Sequence, residues 1–229
     1  MQNEYNFKIT YDLEKDIRNW ITAAREKEFG GRHWKTGLYE YYLDEFDKIS
    51  NTSDEEAEAE LNIFIPAHFN DEIKAAQIKA RSQLLENFSE ACKRIEQITG
   101  KKLAFQTVEF FLTTFPRAPY SVEDGSMYFC IFWDNIIDTF LHEMLHIQIH
   151  KYWRNNPDST ISKLGKDEFL ALNEALTFLV DEPENLPARQ SSGHYPLYNS
   201  IRKALKTHWG EDQDFESLLL FGADIVKKT

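Results

Sequence analysis

Apolar positions along the chain follow two rhythms. Residues 11–29 and 34–49 repeat their apolar side chains at helical spacing and are parted by Gly30-Gly31, so two amphipathic helices are expected there. Leu61-Asn62-Ile63-Phe64-Ile65 alternates and meets Pro66, the pattern of a short strand. From Asn70 or Asp71 onward, Ile73, Ile78, Leu84, Leu85, Phe88, Cys92, Ile95 and Ile98 lie near helical spacing, and Gly100 supplies a stop. Leu103–Thr114 and the almost continuously apolar Ser126–Trp133 read as strands, with a loop through Pro116, Pro119 and Gly125 between them. Asp134 or Asn135 can cap a helix running to about Trp153, and another helix spans 167–181, closed by Pro183 and Pro187. Helical stretches near 197–208 and 214–227 end the chain. This order predicts an α+β fold: a small mixed sheet on a long helix, two further helices, and helical N- and C-terminal segments. A helical extension over 1–52 and a main domain over 53–229 are the expected division.

Composition narrows the class. Hydrophobic residues at 42% suffice for a packed core, and a net charge of −12 opposes non-specific nucleic-acid binding. The acidic run Asp54–Glu60 reads as a solvated segment opening with Ser53 as a cap, with steering of basic substrates as the alternative. No run approaches the roughly 20 apolar residues of a membrane helix. The chain opens without a basic, apolar leader, and Cys92 and Cys130 are its only cysteines. A cytoplasmic protein without disulfides or membrane contact is expected.

The chemistry lies in His142-Glu143-Met144-Leu145-His146. Residues four apart on a helix share a face with Cβ atoms about 5–6 Å apart. Both imidazoles can then reach one ion at zinc–nitrogen distances of about 2.0–2.1 Å. Glu143, one step round, is placed to hold a water and take its proton. The helix is otherwise apolar, apart from a stripe of Asp138, His142, His146 and His150 at every fourth position. A buried polar stripe is costly unless satisfied; a metal with supporting hydrogen bonds would satisfy it, as would carbonyl partners for two core histidines. His150 lies about 12 Å along the axis from His142 and cannot share its ion. Ile149 and Tyr152 rule out the compact HExxHxxGxxH arrangement. Asp138, one turn before His142, suits a supporting acceptor. The third ligand must come from elsewhere, and Glu174 is the strongest candidate, because a carboxylate in so apolar a helix needs a metal or an ion-pair partner. Glu174, Thr177 and Asp181 form one narrow polar face.

Together these residues resemble the gluzincin class of metallopeptidases, typified by thermolysin. The resemblance implies a zincin-like fold, His142, His146 and Glu174 as ligands of one Zn2+, and Glu143 as general base. Asn173-Glu174-Ala175 looks like the start of the class's glutamate-helix motif, and the segment order over about 61–181 looks like its upper subdomain. Phe178 stands where the thermolysin pattern has Asp, leaving Thr177 or Asp181 for that support. The class uses a Tyr or His beyond the glutamate helix to stabilise the oxyanion, which implies His194 or Tyr195. It also pairs extended substrate with an edge strand beside the active helix, a role open to Ser126–Trp133. The expected function is peptide-bond hydrolysis on a peptide or protein substrate. The alternatives are a non-catalytic zinc-binding protein and a zinc amide hydrolase acting on a non-peptide substrate. A structural zinc site favours four ligands, usually with cysteines, and needs no Glu143. The peptide deformylases combine HExxH with a cysteine ligand, but the surroundings of Cys130 do not match their motif.

Overall fold

The computed structural model describes residues 5–38, 40–181 and 196–228. Strand β1 (Asn6–Tyr11) leads into helix α1 (Leu13–Glu26), capped by Asp12, whose side chain accepts from the Lys15 amide. Two-residue strands β2 (Glu28–Phe29) and β3 (Arg32–His33) form a hairpin across Gly30-Gly31. Both glycines hold positive φ, 58° and 78°, as so tight a turn demands. Helix α2 (Glu40–Ser50) follows, then the 46-residue helix α3 (Asp54–Thr99). Strands β4 (Thr107–Thr113) and β5 (Met127–Cys130) precede α4 (Ile136–Ile149), α5 (Lys166–Leu176), α6 (Phe178–Asp181), α7 (Asn199–Glu211) and α8 (Phe215–Val226).

The start of α3 follows from local chemistry. Ser53 and Glu56 close a capping box, and three acidic residues in the first turn suit the helix dipole. Its end is Gly100, at φ 65°. The strand expected over 61–66 is overturned, because that stretch is helical. Leu61 and Ile65, four apart, are buried, whereas Ile63, which a strand would have buried with them, is 72% exposed. The stripe continues through Phe69, Ile73, Ala76, Ala80, Leu84 and Phe88 in steps of three and four. Pro66 removes one internal hydrogen bond, and burial on both sides of it carries the helix through.

The main sheet has the order β1-β4-β5, with Asn6 to Tyr11 opposite Thr107 to Leu112 and Phe110 to Thr113 opposite Met127 to Cys130. It was expected to be mixed, but all three strands are parallel. Parallel neighbours need a crossover of about a dozen residues or more. Between β4 and β5 that crossover is the 114–126 loop, which returns along the outer edge of β5. There Tyr120 bridges Met127 in antiparallel sense, with Ser121 N donating to Ser126 O (2.8 Å) and Tyr128 N to Pro119 O (2.9 Å). The described part of residues 1–52 thus contributes β1 to the same sheet as β4 and β5 and packs α1 on α2, α3 and β4. Helix α4 packs between α3, β5 and α6, and α5 packs on α7 and α8. Among the described residues no helix is long and apolar enough to cross a membrane.

One buried polar network fixes the exit of β4. The Asp16 carboxylate accepts from Thr113 Oγ1 (2.6 Å), Thr114 N (2.9 Å), Thr114 Oγ1 (2.8 Å) and Tyr11 Oη (3.2 Å). Trp20 Nε1 donates to Thr114 Oγ1, and Asn19 Nδ2 donates to Thr113 Oγ1 and the Arg117 carbonyl. Burial outweighs those hydrogen bonds and pushes the Asp16 carboxyl up to about 6. A folded-state value above the unfolded one means that the native state holds the proton more tightly. The Asp16 contribution to stability is therefore full below the ordinary value near 4 and is lost as pH rises to about 6. Urea melts from pH 4 to 7 should show the unfolding free energy falling across that window, and Asp16→Asn should abolish that component. An identical slope in the variant would place the titration elsewhere.

Candidate metal centre

Helix α4 is clamped at both ends before any site chemistry enters. Asn135 caps it, accepting from Ile137 N, and Gln83 of α3 accepts from Ile136 N (3.1 Å) while donating to the Asp134 carbonyl (2.8 Å). At the far end the wholly buried Gln148 accepts from Ala104 N and donates to the Lys102 carbonyl. Between these clamps Phe140, Met144, Leu145 and Ile147 fill the core, which fixes the rotation of the opposite face.

That face carries His142, Glu143 and His146, whose ligand atoms all lie within 4.8 Å of one another. This group can hold a metal ion. The imidazoles of His142 and His146 cross nearly at right angles with centroids 4.8 Å apart. His146 and Glu143 are buried, while His142 is half-buried and forms the more accessible side. Glu174, on α5 and also buried, brings Oε1 to 3.7 Å from His146 Nε2. Two atoms bound to one tetrahedral ion at about 2.0–2.1 Å stand roughly 3.3–3.4 Å apart, so this separation suits a shared centre better than a hydrogen bond. The donor set, two imidazoles and a carboxylate, suits a divalent ion of zinc type. Glu174 adjoins the triad without belonging to the group that closes within 4.8 Å.

Support for Glu174 comes from the tail. Arg202 of α7, buried, donates to the Glu174 carbonyl (3.0 Å) and to Thr177 Oγ1 (3.0 Å), and Thr177 Oγ1 donates in turn to the Glu174 carbonyl. Thr177, one of the two residues expected to support the glutamate, and Arg202, which the sequence did not single out, thus hold the Glu174 backbone carbonyl. The Tyr198 phenol lies near enough that burial, then the Glu174 and Asp167 carboxylates, push its ionisation upward. His194 and Tyr195, the expected oxyanion stabilisers, lie outside the described residues. Asp138 accepts from Asn135 Nδ2 at the cap (2.8 Å). His150 opens a π-turn, His150–Arg154, outside the metal-holding group, with its ring against Phe169. Cys130 is buried and is not in the group either.

The loop between β4 and β5 supplies a residue that no motif announced. The Tyr120 ring lies nearly parallel to that of His146, with centroids 5.4 Å apart, and meets the edge of His150 at 6.1 Å. Its hydroxyl accepts from Asn173 Nδ2 at 3.4 Å, next in sequence to Glu174. Burial, then the Glu143 and Glu174 carboxylates, push the phenol far up, so it stays protonated at neutral pH. The outer edge of β5 is taken at Ser126 and Tyr128 by this same loop. The edge of Ser126–Trp133 that was expected to be open for pairing is therefore covered at those two residues by Pro119–Ser121.

Comparisons with protein-family models, curated proteins and solved structures find no match to this chain. Arg202→Met would leave the Glu174 carbonyl and Thr177 hydroxyl without their charged donor in the interior. It should cost roughly 2–4 kcal/mol in a urea melt, the scale of buried hydrogen bonds to a charged group. Unchanged stability would show that the packing of α5 alone holds Glu174.

Proposed function

We propose that this chain is a zinc metallopeptidase of gluzincin type, a hydrolase in which His142, His146 and Glu174 hold the ion. The observation that carries the reading is the approach of Glu174 Oε1 to His146 Nε2 on the motif face of α4. A carboxylate from a second helix reaching the inner histidine is the third donor that the motif requires. When bound, zinc would supply Lewis acidity, polarising the scissile carbonyl and making a water more acidic.

The chain's own residues would do the rest. Glu143, on the same face but not needed as a ligand, would take the proton of the attacking water and pass it to the departing amine. Its burial keeps that carboxylate in a site of low dielectric, where its interactions with developing charge are strong. Substrate would be oriented by the strip at Pro119–Ser121. Pro119 and Ser121 bond inward to β5, so by strand alternation the N–H and C=O of Tyr120 point outward. Among the described residues neither makes a backbone hydrogen bond, and an extended peptide could pair with them by strand addition.

Two measurements test this reading. Purified, zinc-loaded protein should carry one zinc per chain by elemental analysis, and Glu174→Ala should lose most of its affinity in competition with a chelator. Glu143→Gln should retain the zinc yet cleave a peptide library on the order of 10²–10⁴-fold more slowly, since an amide can hold the water without accepting its proton. Wild-type turnover by that variant would remove Glu143 from the mechanism. Loss of zinc from it would make Glu143 a ligand.

A further inference from the structure

The Tyr120–Asn173 pair leaves two hydrogen-bonding functions open at the inner end of the site. Asn173 is 1% exposed, and its Nδ2 donates to the Tyr120 oxygen. Its Oδ1 is buried with no hydrogen-bond partner among the described residues. Because the phenol oxygen is accepting, its own O–H must point elsewhere, and none of its hydrogen bonds among the described residues runs in that direction. Tyr120 is half-buried, and a hydroxyl proton left open beside the metal-holding group is one that a bound ligand can accept.

The ring that carries this donor is not free to wander. Its backbone is held to β5 on either side, by Pro119 O and Ser121 N. One face lies along His146, and the ring makes an edge contact with His150. From these observations we infer that Tyr120 is a catalytic residue, its phenol O–H donating to the carbonyl oxygen of the bound amide as negative charge develops there, with Asn173 as the positioning residue that orients the phenol. The inference rests on the metal-centre reading of the same site. It moves the oxyanion-stabilising role from the segment after the glutamate helix to the crossover before the motif helix. It also gives one short strip two tasks: the Tyr120 backbone aligns the peptide, and the Tyr120 side chain stabilises the reacting group. A preorganised donor at such a position contributes strongly because it needs no reorientation as charge develops.

The test uses full-length, zinc-loaded protein and acetohydroxamate, a small chelating probe that carries a carbonyl oxygen and needs no side-chain subsite. Tyr120→Phe keeps the ring and its stack on His146, so its zinc affinity should match that of the wild type, while loss of the acceptor of Asn173 Nδ2 should lower the melting temperature by a few degrees. By calorimetry its affinity for acetohydroxamate should fall about 10- to 100-fold, the worth of a hydrogen bond to a charged group. On any peptide that the wild type cleaves, kcat should fall while KM stays. Equal hydroxamate affinity in wild type and variant would overturn the assignment. So would a parallel loss of zinc, which would make Tyr120 a ligand, or failure of the zinc-loaded wild type to bind the probe. The calorimetry needs no turnover, so a protein that binds zinc and hydroxamate but cleaves no peptide would sink the peptidase reading and leave the role of Tyr120 to be read from the variant.

Discussion

The approach of the buried Glu174 carboxylate to the buried His146 imidazole is the constraint on which the rest depends. Two polar, ionisable groups placed 3.7 Å apart between apolar helices must be held by their surroundings, since neither helix would choose this burial by hydrophobicity. α4 is therefore clamped through Gln83 and Gln148, groups that satisfy backbone donors and acceptors rather than fill volume. α5 is backed by α7 and α8, and Arg202 ties the Glu174 carbonyl to the tail. The terminal helices, which lie outside the family resemblance, pack behind the helix that carries Glu174.

The sheet imposes a second requirement. Parallel strands cannot be joined by a tight turn, so the chain leaving β4 has to travel back before entering β5. That return path carries Tyr120 along the edge of β5 and onto His146. Its starting point is set by Asp16 of α1, which binds the hydroxyls of Thr113 and Thr114 where the loop begins. The N-terminal helix therefore bears on the site by anchoring the start of the loop that carries Tyr120.

Local physics made much of this legible in the sequence. Gly100 marked the end of α3 and Asp134 or Asn135 the start of α4, because caps act within a few residues, but the start of α3 lies at Asp54 behind the Ser53–Glu56 capping box and not at the expected Asn70 or Asp71. The four-residue spacing of His142 and His146 put both on one helical face whatever the surrounding fold, and an apolar helix around Glu174 singled out that carboxylate by its cost. β1 was also legible in principle, since Asn6-Phe7-Lys8-Ile9-Thr10-Tyr11 alternates polar with apolar. The same rule misled at 61–65, where alternation and a proline suggested a strand. There the tertiary burial of Leu61 and Ile65 on one stripe of α3 prevailed, because in helices packing outweighs local preference.

Tertiary structure alone decided the distances between elements far apart in the chain. Tyr120 and Arg202 belong to no short motif, Asn173 stood out only as the neighbour of Glu174, and their contacts arise only when the crossover, the glutamate helix and the tail converge on α4. Hydrogen bonds over such sequence separations leave no periodic trace, since each partner looks like an ordinary polar residue in its own segment. The sequence by itself determined where the helices of His146 and Glu174 run and that His142 and His146 share a face, because helical geometry repeats every few residues. The approach of Glu174 to His146, the Tyr120 ring along His146 and the Arg202 charge on the Glu174 carbonyl were decided by packing, because only a closed core joins segments so far apart in the chain.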